Sequence, residues 1–185
     1  MQKLGIVVLV VLTLTLSVSA QTDIRFKGIG GKLGFIMPED PLDNTIGFGA
    51  VADLGKISVV RVYGYLDYWR KAYNEGAYWE WSWSVLSLAA IGKYYFESSS
   101  DFKPYAGAGL GFDLSMWKSE YTGPNYGYSF GDVEASDSEL DLAIHLLGGA
   151  SYKLSPNLDG FAEVKYTLGD LDYLGIYAGV IFKLK

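Results

Sequence analysis

The sequence predicts an all-β chain: eight antiparallel strands closing into an up-and-down transmembrane barrel, preceded by a cleaved signal peptide. Three observations carry that expectation. The first twenty residues have the make-up of an export signal. The remainder alternates between apolar and small or polar residues with a period of two. No later stretch is long and apolar enough for a spanning helix, so any crossing of a membrane must be made by strands.

In the export signal, Lys3 supplies a positive start and Leu4 to Leu16 is apolar except for Thr13 and Thr15. Val18-Ser19-Ala20 then sets small residues at a cleavage point. The run is shorter than the ~18 residues a spanning helix needs. The expected division is residues 1–20 as signal peptide and 21–185 as one barrel domain. Removing 20 of 185 residues leaves 165, and the loss of Lys3 takes the net charge from −6 to −7.

Composition agrees. Half the residues are hydrophobic and 19% are charged, which excludes a disordered chain. The 23 Gly and 16% aromatic residues favour strands and tight turns. With no Cys, disulfides, thiolate metal sites, a cysteine nucleophile and a lipid-modified N-terminal Cys are all excluded. The negative net charge argues against nucleic acid as a partner.

The strands follow in order. In 28–36, Ile29, Leu33 and Phe35 oppose Gly28, Gly30, Lys32 and Gly34. In 45–54, Ile46, Phe48 and Ala50 oppose Gly47, Gly49 and Asp53. In 58–68, Val60, Val62, Leu66 and Tyr68 oppose Arg61, Tyr63, Tyr65 and Asp67. In 83–96, Leu86, Leu88, Tyr94 and Phe96 oppose Ser87, Ile91 and Lys93. In 105–116, Ala106, Leu110, Phe112 and Leu114 oppose Gly107, Gly109, Gly111 and Asp113. In 140–154, Leu142, Ile144, Leu146 and Tyr152 oppose Asp141, His145, Ser151 and Lys153. In 160–168, Ala162, Val164 and Tyr166 oppose Glu163 and Lys165. In 174–184, Leu174, Ile176, Val180 and Phe182 oppose Gly175, Tyr177 and Lys183. A helix would scatter these sets and a strand separates them. Connections at 54–56, 98–103 and 155–159 are short, those at 37–44, 69–80 and 117–139 are longer, and 169–172 is short on the long side. Short turns at one end and long loops at the other are the arrangement of an outer-membrane barrel.

A soluble barrel of the lipocalin kind would put its apolar face inside. Here the apolar face is nearly free of charge and the opposite face is rich in Gly, which covers a soluble surface poorly but suits a narrow lumen. Trp69, Trp79, Trp81, Trp83 and Trp117 flank the long loops and are expected to form an aromatic girdle at the lipid boundary. Ordinary loop or core positions are the alternative for them.

The segment Phe102-Lys103-Pro104-Tyr105-Ala106-Gly107-Ala108-Gly109-Leu110-Gly111 resembles the PYxGxGxG strand of the small outer-membrane β-barrel family, which includes the OmpA barrel, OmpX, OmpW and opacity-type proteins. The resemblance extends as pattern over residues 21–185 and implies an eight-stranded barrel in the outer membrane. One departure concerns assembly: family members often end on an aromatic residue, whereas this chain ends Phe182-Lys183-Leu184-Lys185.

An eight-stranded barrel has an interior just wide enough for side chains. The inward set includes Lys32, Arg61, Lys93, Lys153, Lys165 and Lys183 against Asp53, Asp67, Asp113, Asp141 and Glu163. Charges in so narrow a space must pair, so the expected lumen is polar and ion-paired. A narrow channel for small solutes, hydrophobic ones among them, is the alternative. No catalytic residue is expected. His145 is the only His, Ser151 on the same face lies six residues away, and an esterase needs a nearer Ser with an acid behind the His. No cofactor is expected. Gly30-Gly31-Lys32 is followed by Leu33 where a phosphate loop needs Ser or Thr, and no His or Cys cluster offers a metal site.

The loops are then the expected seat of function. Residues 117–139, from Trp117 to Glu139, carry Tyr121, Tyr126, Tyr128 and Phe130, followed by Asp132, Glu134, Asp137 and Glu139. Aromatic, Gly and Ser mixtures on a rigid scaffold suit recognition of a surface partner. The spacing of the acids is not that of an EF-hand, though oxygen ligands suit calcium. Arg70 and Lys71, beside Tyr73, Tyr78 and Trp79, are placed to meet lipid phosphate. The expectation is an outer-membrane barrel that contacts membrane lipid and has a structural or surface-interaction role.

Overall fold

Eight strands, ordered β1 to β8 and each antiparallel to the next, close on themselves where β8 pairs with β1. The computed structural model describes residues 22–75, 79–121 and 135–184. The strands are β1 (Thr22–Pro38), β2 (Thr45–Ile57), β3 (Val60–Glu75), β4 (Trp79–Tyr95), β5 (Phe102–Tyr121), β6 (Ala135–Ser155), β7 (Leu158–Leu168) and β8 (Tyr173–Lys183). Each matches one expected segment, and closure removes the open edges that a flat sheet would expose to lipid. The expected signal peptide lies outside the described residues, as do Tyr78, Tyr126, Tyr128 and Phe130.

The register sets the shape. From Leu33 one path runs through Phe48, Tyr68 and Leu86 to Leu114 on β5. The other runs through Ala178, Ala162 and Ala150 to Pro104, ten residues away on the same strand. A stagger of ten over eight strands tilts them by roughly 42° at the usual strand spacing and rise. Alternate residues therefore face lipid or lumen throughout. Leu33, Ile46, Leu88, Leu110, Phe112, Leu142 and Phe182 are each at least half exposed. A soluble protein rarely shows so continuous an apolar surface.

Three connections differ in detail from expectation. The β2–β3 turn is Ser58-Val59, with Ser58 at φ 55, while Gly55 lies inside β2 at φ 98. A Cβ at Gly55 would fall 2.1 Å from the Asp23 carbonyl oxygen. The loops expected over 69–80 and 117–139 are partly strand: β3 and β4 take all of the first but 76–78, and β5 and β6 take 117–121 and 135–139 of the second. On β1 the register shifts between Ile24 and Gly28, a bulge that puts Ile24 and Phe26 outside with Ile29.

The wall is uneven. β7 and β8 have 11 residues each, enough to cross a bilayer at this tilt. β5 and β6 have 20 and 21. On the outward face the apolar belt stops at Tyr68, Leu86, Met116 and Leu140, and Arg70, Ser84, Lys118 and Ser138 follow. The upper parts of β3 to β6 thus stand above the lipid as a raised wall, by about 18 Å at this tilt where it is highest.

Candidate functional site

Glu163 is the centre of the lumen. It is 3% exposed and lies on β7. Its Oε2 accepts hydrogen bonds from Tyr65 Oη, Tyr105 Oη and Lys93 Nζ, each at 2.9 Å. Its Oε1 accepts from Lys32 Nζ at 3.3 Å. Lys32 Nζ also lies 3.1 Å from Asp67 Oδ2, which accepts from Lys165 Nζ at 2.7 Å. Lys32 sits over the Tyr65 ring at 3.8 Å, and Lys93 over the Tyr105 ring at 4.0 Å. The strands β1, β3, β4, β5 and β7 thus meet in one network, because each contributes an inward residue at the same height. Gly49 leaves room for it: a Cβ there would lie 2.1 Å from Asp67 Oδ1.

Toward the short-turn end, Arg61 Nη2 pairs with Asp53 Oδ2 at 2.9 Å, Tyr63 and Tyr95 hydroxyls meet at 2.8 Å, and Lys183 pairs with Asp159 at 2.6 Å. Asp159 falls in an expected turn, and its role follows from β7 starting at Leu158. Toward the loop end, Ile36, Leu42, Trp69, Val85, Tyr173 and Tyr177 form an apolar layer, with the Trp69 and Tyr173 rings edge to face at 5.8 Å. The middle of the lumen is filled by charge and its loop end by apolar rings.

Three of the ion-pair candidates, Lys153, Asp141 and Asp113, make no ion pair among the described residues. Lys153 is exposed and makes no ion pair among the described residues, since the register shifts between Lys153 and Ser155 and the strand leaves the lumen there. Asp141 has no basic partner among the described residues, and its Oδ2 is buried without a hydrogen bond. Asp113 takes a hydrogen bond from Tyr173 Oη at 3.2 Å instead of an ion pair. His145 is fully buried, with Nδ1 3.1 Å from Thr167 Oγ1, and no Ser hydrogen-bonds to it among the described residues.

The tryptophans do not form a lipid girdle. Trp69 is 1% exposed and packs in the lumen. Trp81 and Trp83 pack against the same layer. Trp79 shares their side of β4, and Trp117 stands opposite Trp83 in register. All five have the inward parity of Asp67, Ser87 and Asp113. Above that layer the four other than Trp69 line the inner face of the raised wall, where Tyr73 stacks on Trp81 at 4.1 Å. Trp79, Glu80, Trp81, Trp117 and Ser119 enclose an open cavity of about 370 Å³. Aromatic residues that do face lipid include Phe26, Tyr94, Phe96, Phe102, Tyr152 and Phe182 near the short-turn end, Phe112 in the belt, and Phe35, Phe48 and Tyr166 toward the loop end. Tyr121 ends β5 at the top of the wall. Arg70 pairs with Glu80 at 3.2 Å and Lys71 with Asp43 at 3.6 Å, both around the base of the wall.

The family model for the outer membrane protein beta-barrel domain matches residues 6–182. No curated protein matches the chain. Among solved structures it is similar to Neisserial surface protein A, with 22% identity, 88% of this chain and 100% of that chain covered, and a TM-score of 0.56. It is similar to Ail, the attachment invasion locus protein of Yersinia pestis, with 16% identity, coverage of 87% and 100%, and a TM-score of 0.57. A major outer membrane protein from Thermus thermophilus gives 11% identity, coverage of 85% and 99%, and a TM-score of 0.57. At these identities the likeness to solved structures is one of fold.

Proposed function

The chain belongs to the outer membrane protein beta-barrel domain family and resides in the outer membrane, and from that premise we propose that it works at the cell surface through its raised rim, as a structural and surface-interaction barrel. The observation that carries this reading is the wall of β3 to β6. It continues above the apolar belt as ordered strand, presents Tyr73, Trp79, Trp81 and Trp117 on its inner side, and encloses the cavity at its top. Rigid aromatic surfaces contribute contact area at low entropic cost. β6 first pairs with β7 at Ile144, so on that side residues 135–143 have no strand partner among the described residues. An extended segment of a partner could add there.

Membrane lipid is the partner of the apolar belt. The surface partner meets residues 117–139, including Tyr121, Tyr126, Tyr128 and Phe130. The lumen ion pairs hold the scaffold. The reading assigns no catalysis to His145 and no cofactor. It includes cleavage after Ala20, so that N-terminal sequencing of the membrane-extracted protein returns Gln21.

The test is deletion of residues 119–136. Cells carrying the deleted chain should retain the heat-modifiable gel mobility of a folded barrel and lose adhesion. Unchanged adhesion with altered uptake of small solutes would favour the channel reading instead.

A further inference from the structure

Between the raised part of β6 and the turn joining β7 to β8, three carboxylates from two elements converge at the mouth of the lumen. One oxygen each of Glu139, Asp141 and Asp170 lies within 4.8 Å of the other two. Acids at a surface are ordinarily dispersed by water, and a cluster alone signifies little. The residue behind this one distinguishes it. Asp113 is 6% exposed and stands directly opposite Asp141 in the β5–β6 register, on the same lumen face. Side chains so paired are neighbours at roughly 5 Å, and like charges there destabilise each other. Asp113 Oδ1 and Asp141 Oδ2 are both buried without a hydrogen-bond partner, while Asp113 Oδ2 is engaged by Tyr173. No Lys or Arg among the described residues forms an ion pair with any of these four acids. Lys32 and Lys165 are committed to Asp67 and Glu163. Buried carboxylates without a cation or a full set of donors are costly.

We propose that this mouth binds one hard divalent cation, calcium in preference to magnesium, with Glu139, Asp141 and Asp170 as ligands and Asp113 adding charge behind Asp141. All the donors are oxygens, which suits calcium and magnesium and disfavours zinc. Calcium accepts an irregular shell of carboxylate and water oxygens, as an open site on two elements offers, whereas magnesium demands a near-ideal octahedron and dehydrates reluctantly. Water completes the shell on the open side, so the affinity expected is that of an extracellular site, with Kd on the order of 0.1–1 mM. The ion would tie the low β7–β8 turn to the base of the raised wall. The site stands whether or not the rim binds a surface partner.

The test uses the full chain folded in phosphatidylcholine vesicles, titrated with calcium chloride by calorimetry and followed by terbium luminescence sensitised through Tyr173. Asp141→Asn, Asp170→Asn and a loop double variant, Asp132→Asn with Glu134→Gln, are compared after each shows the gel mobility of a folded barrel. One calcium per chain is expected, with affinity at least ten-fold lower in Asp141→Asn and Asp170→Asn and unchanged in the loop variant. Asp170 lies in an exposed turn, so its substitution decides the matter even if Asp141→Asn does not fold. Absence of saturable binding, unchanged affinity in Asp170→Asn, or loss confined to the loop variant would overturn the proposal.

Discussion

The middle of the lumen and its outer mouth treat charge in opposite ways. In the middle, Asp67 and Glu163 share Lys32, Lys93 and Lys165, and Tyr hydroxyls complete the coordination of Glu163. At the mouth, Asp113 and Asp141 face each other with Glu139 and Asp170 nearby and no basic partner among the described residues. Surroundings explain the difference. The middle is closed to water and flanked by lipid, so its charges must be compensated by the chain itself. The mouth borders the outside medium, where water and dissolved cations are at hand. The middle is built for stability, and the rim is free to present chemistry.

The largest expected effect is at the centre. Glu163→Ala leaves Lys32 and Lys93 without their shared carboxylate and should cost about 3–5 kcal/mol, the range for breaking a buried pair. Urea unfolding in lipid vesicles measures it, and Glu139→Gln at the mouth should change the same midpoint little. A loss at Glu139 equal to that at Glu163 would contradict the contrast. Two tryptophans give the next comparison. Trp69→Ala removes a buried ring and should cost about 3 kcal/mol or more, whereas Trp79→Ala, 41% exposed at the rim, should stay within about 0.5 kcal/mol. The lipid boundary is tested on β4. Leu88→Arg in the apolar belt should cost about 2–4 kcal/mol, and Ser84→Arg, placed above the belt, about 0–1 kcal/mol. The smallest signal is electrical: with the lumen filled from the Arg61 pair to Trp69, planar-bilayer recordings should show no discrete conductance steps. Regular steps would mean that the central network opens.

Much of the fold is legible in the residues because strand geometry is local. Leu110 and Phe112 against Gly109 and Gly111 already separate two faces, and charge confined to one of them says which face avoids lipid. The same parity puts Trp81 and Trp83 inside, as they share the alternation of Ser87 and Lys93. Reading them as a girdle relies on position near a loop, and most of that expected loop, 69–75 and 79–80, proves to be strand. Asp170 could not be joined to Asp141 from sequence, since 29 positions separate them and only the β6–β7 register brings them together. Asp159 is hidden for a similar reason, as it meets Lys183 only because β7 begins before the expected turn has ended.

The sequence by itself determined the class, the number of strands and the face most side chains take, Lys153 beside a register shift being an exception. A period of two is a property of the extended backbone and needs no tertiary contact to be read. The tertiary structure decided which charges meet, how high the wall rises and where acids are left without a cation. Those depend on register and closure: a stagger of ten residues across eight strands sets which distant positions share a height in the lumen.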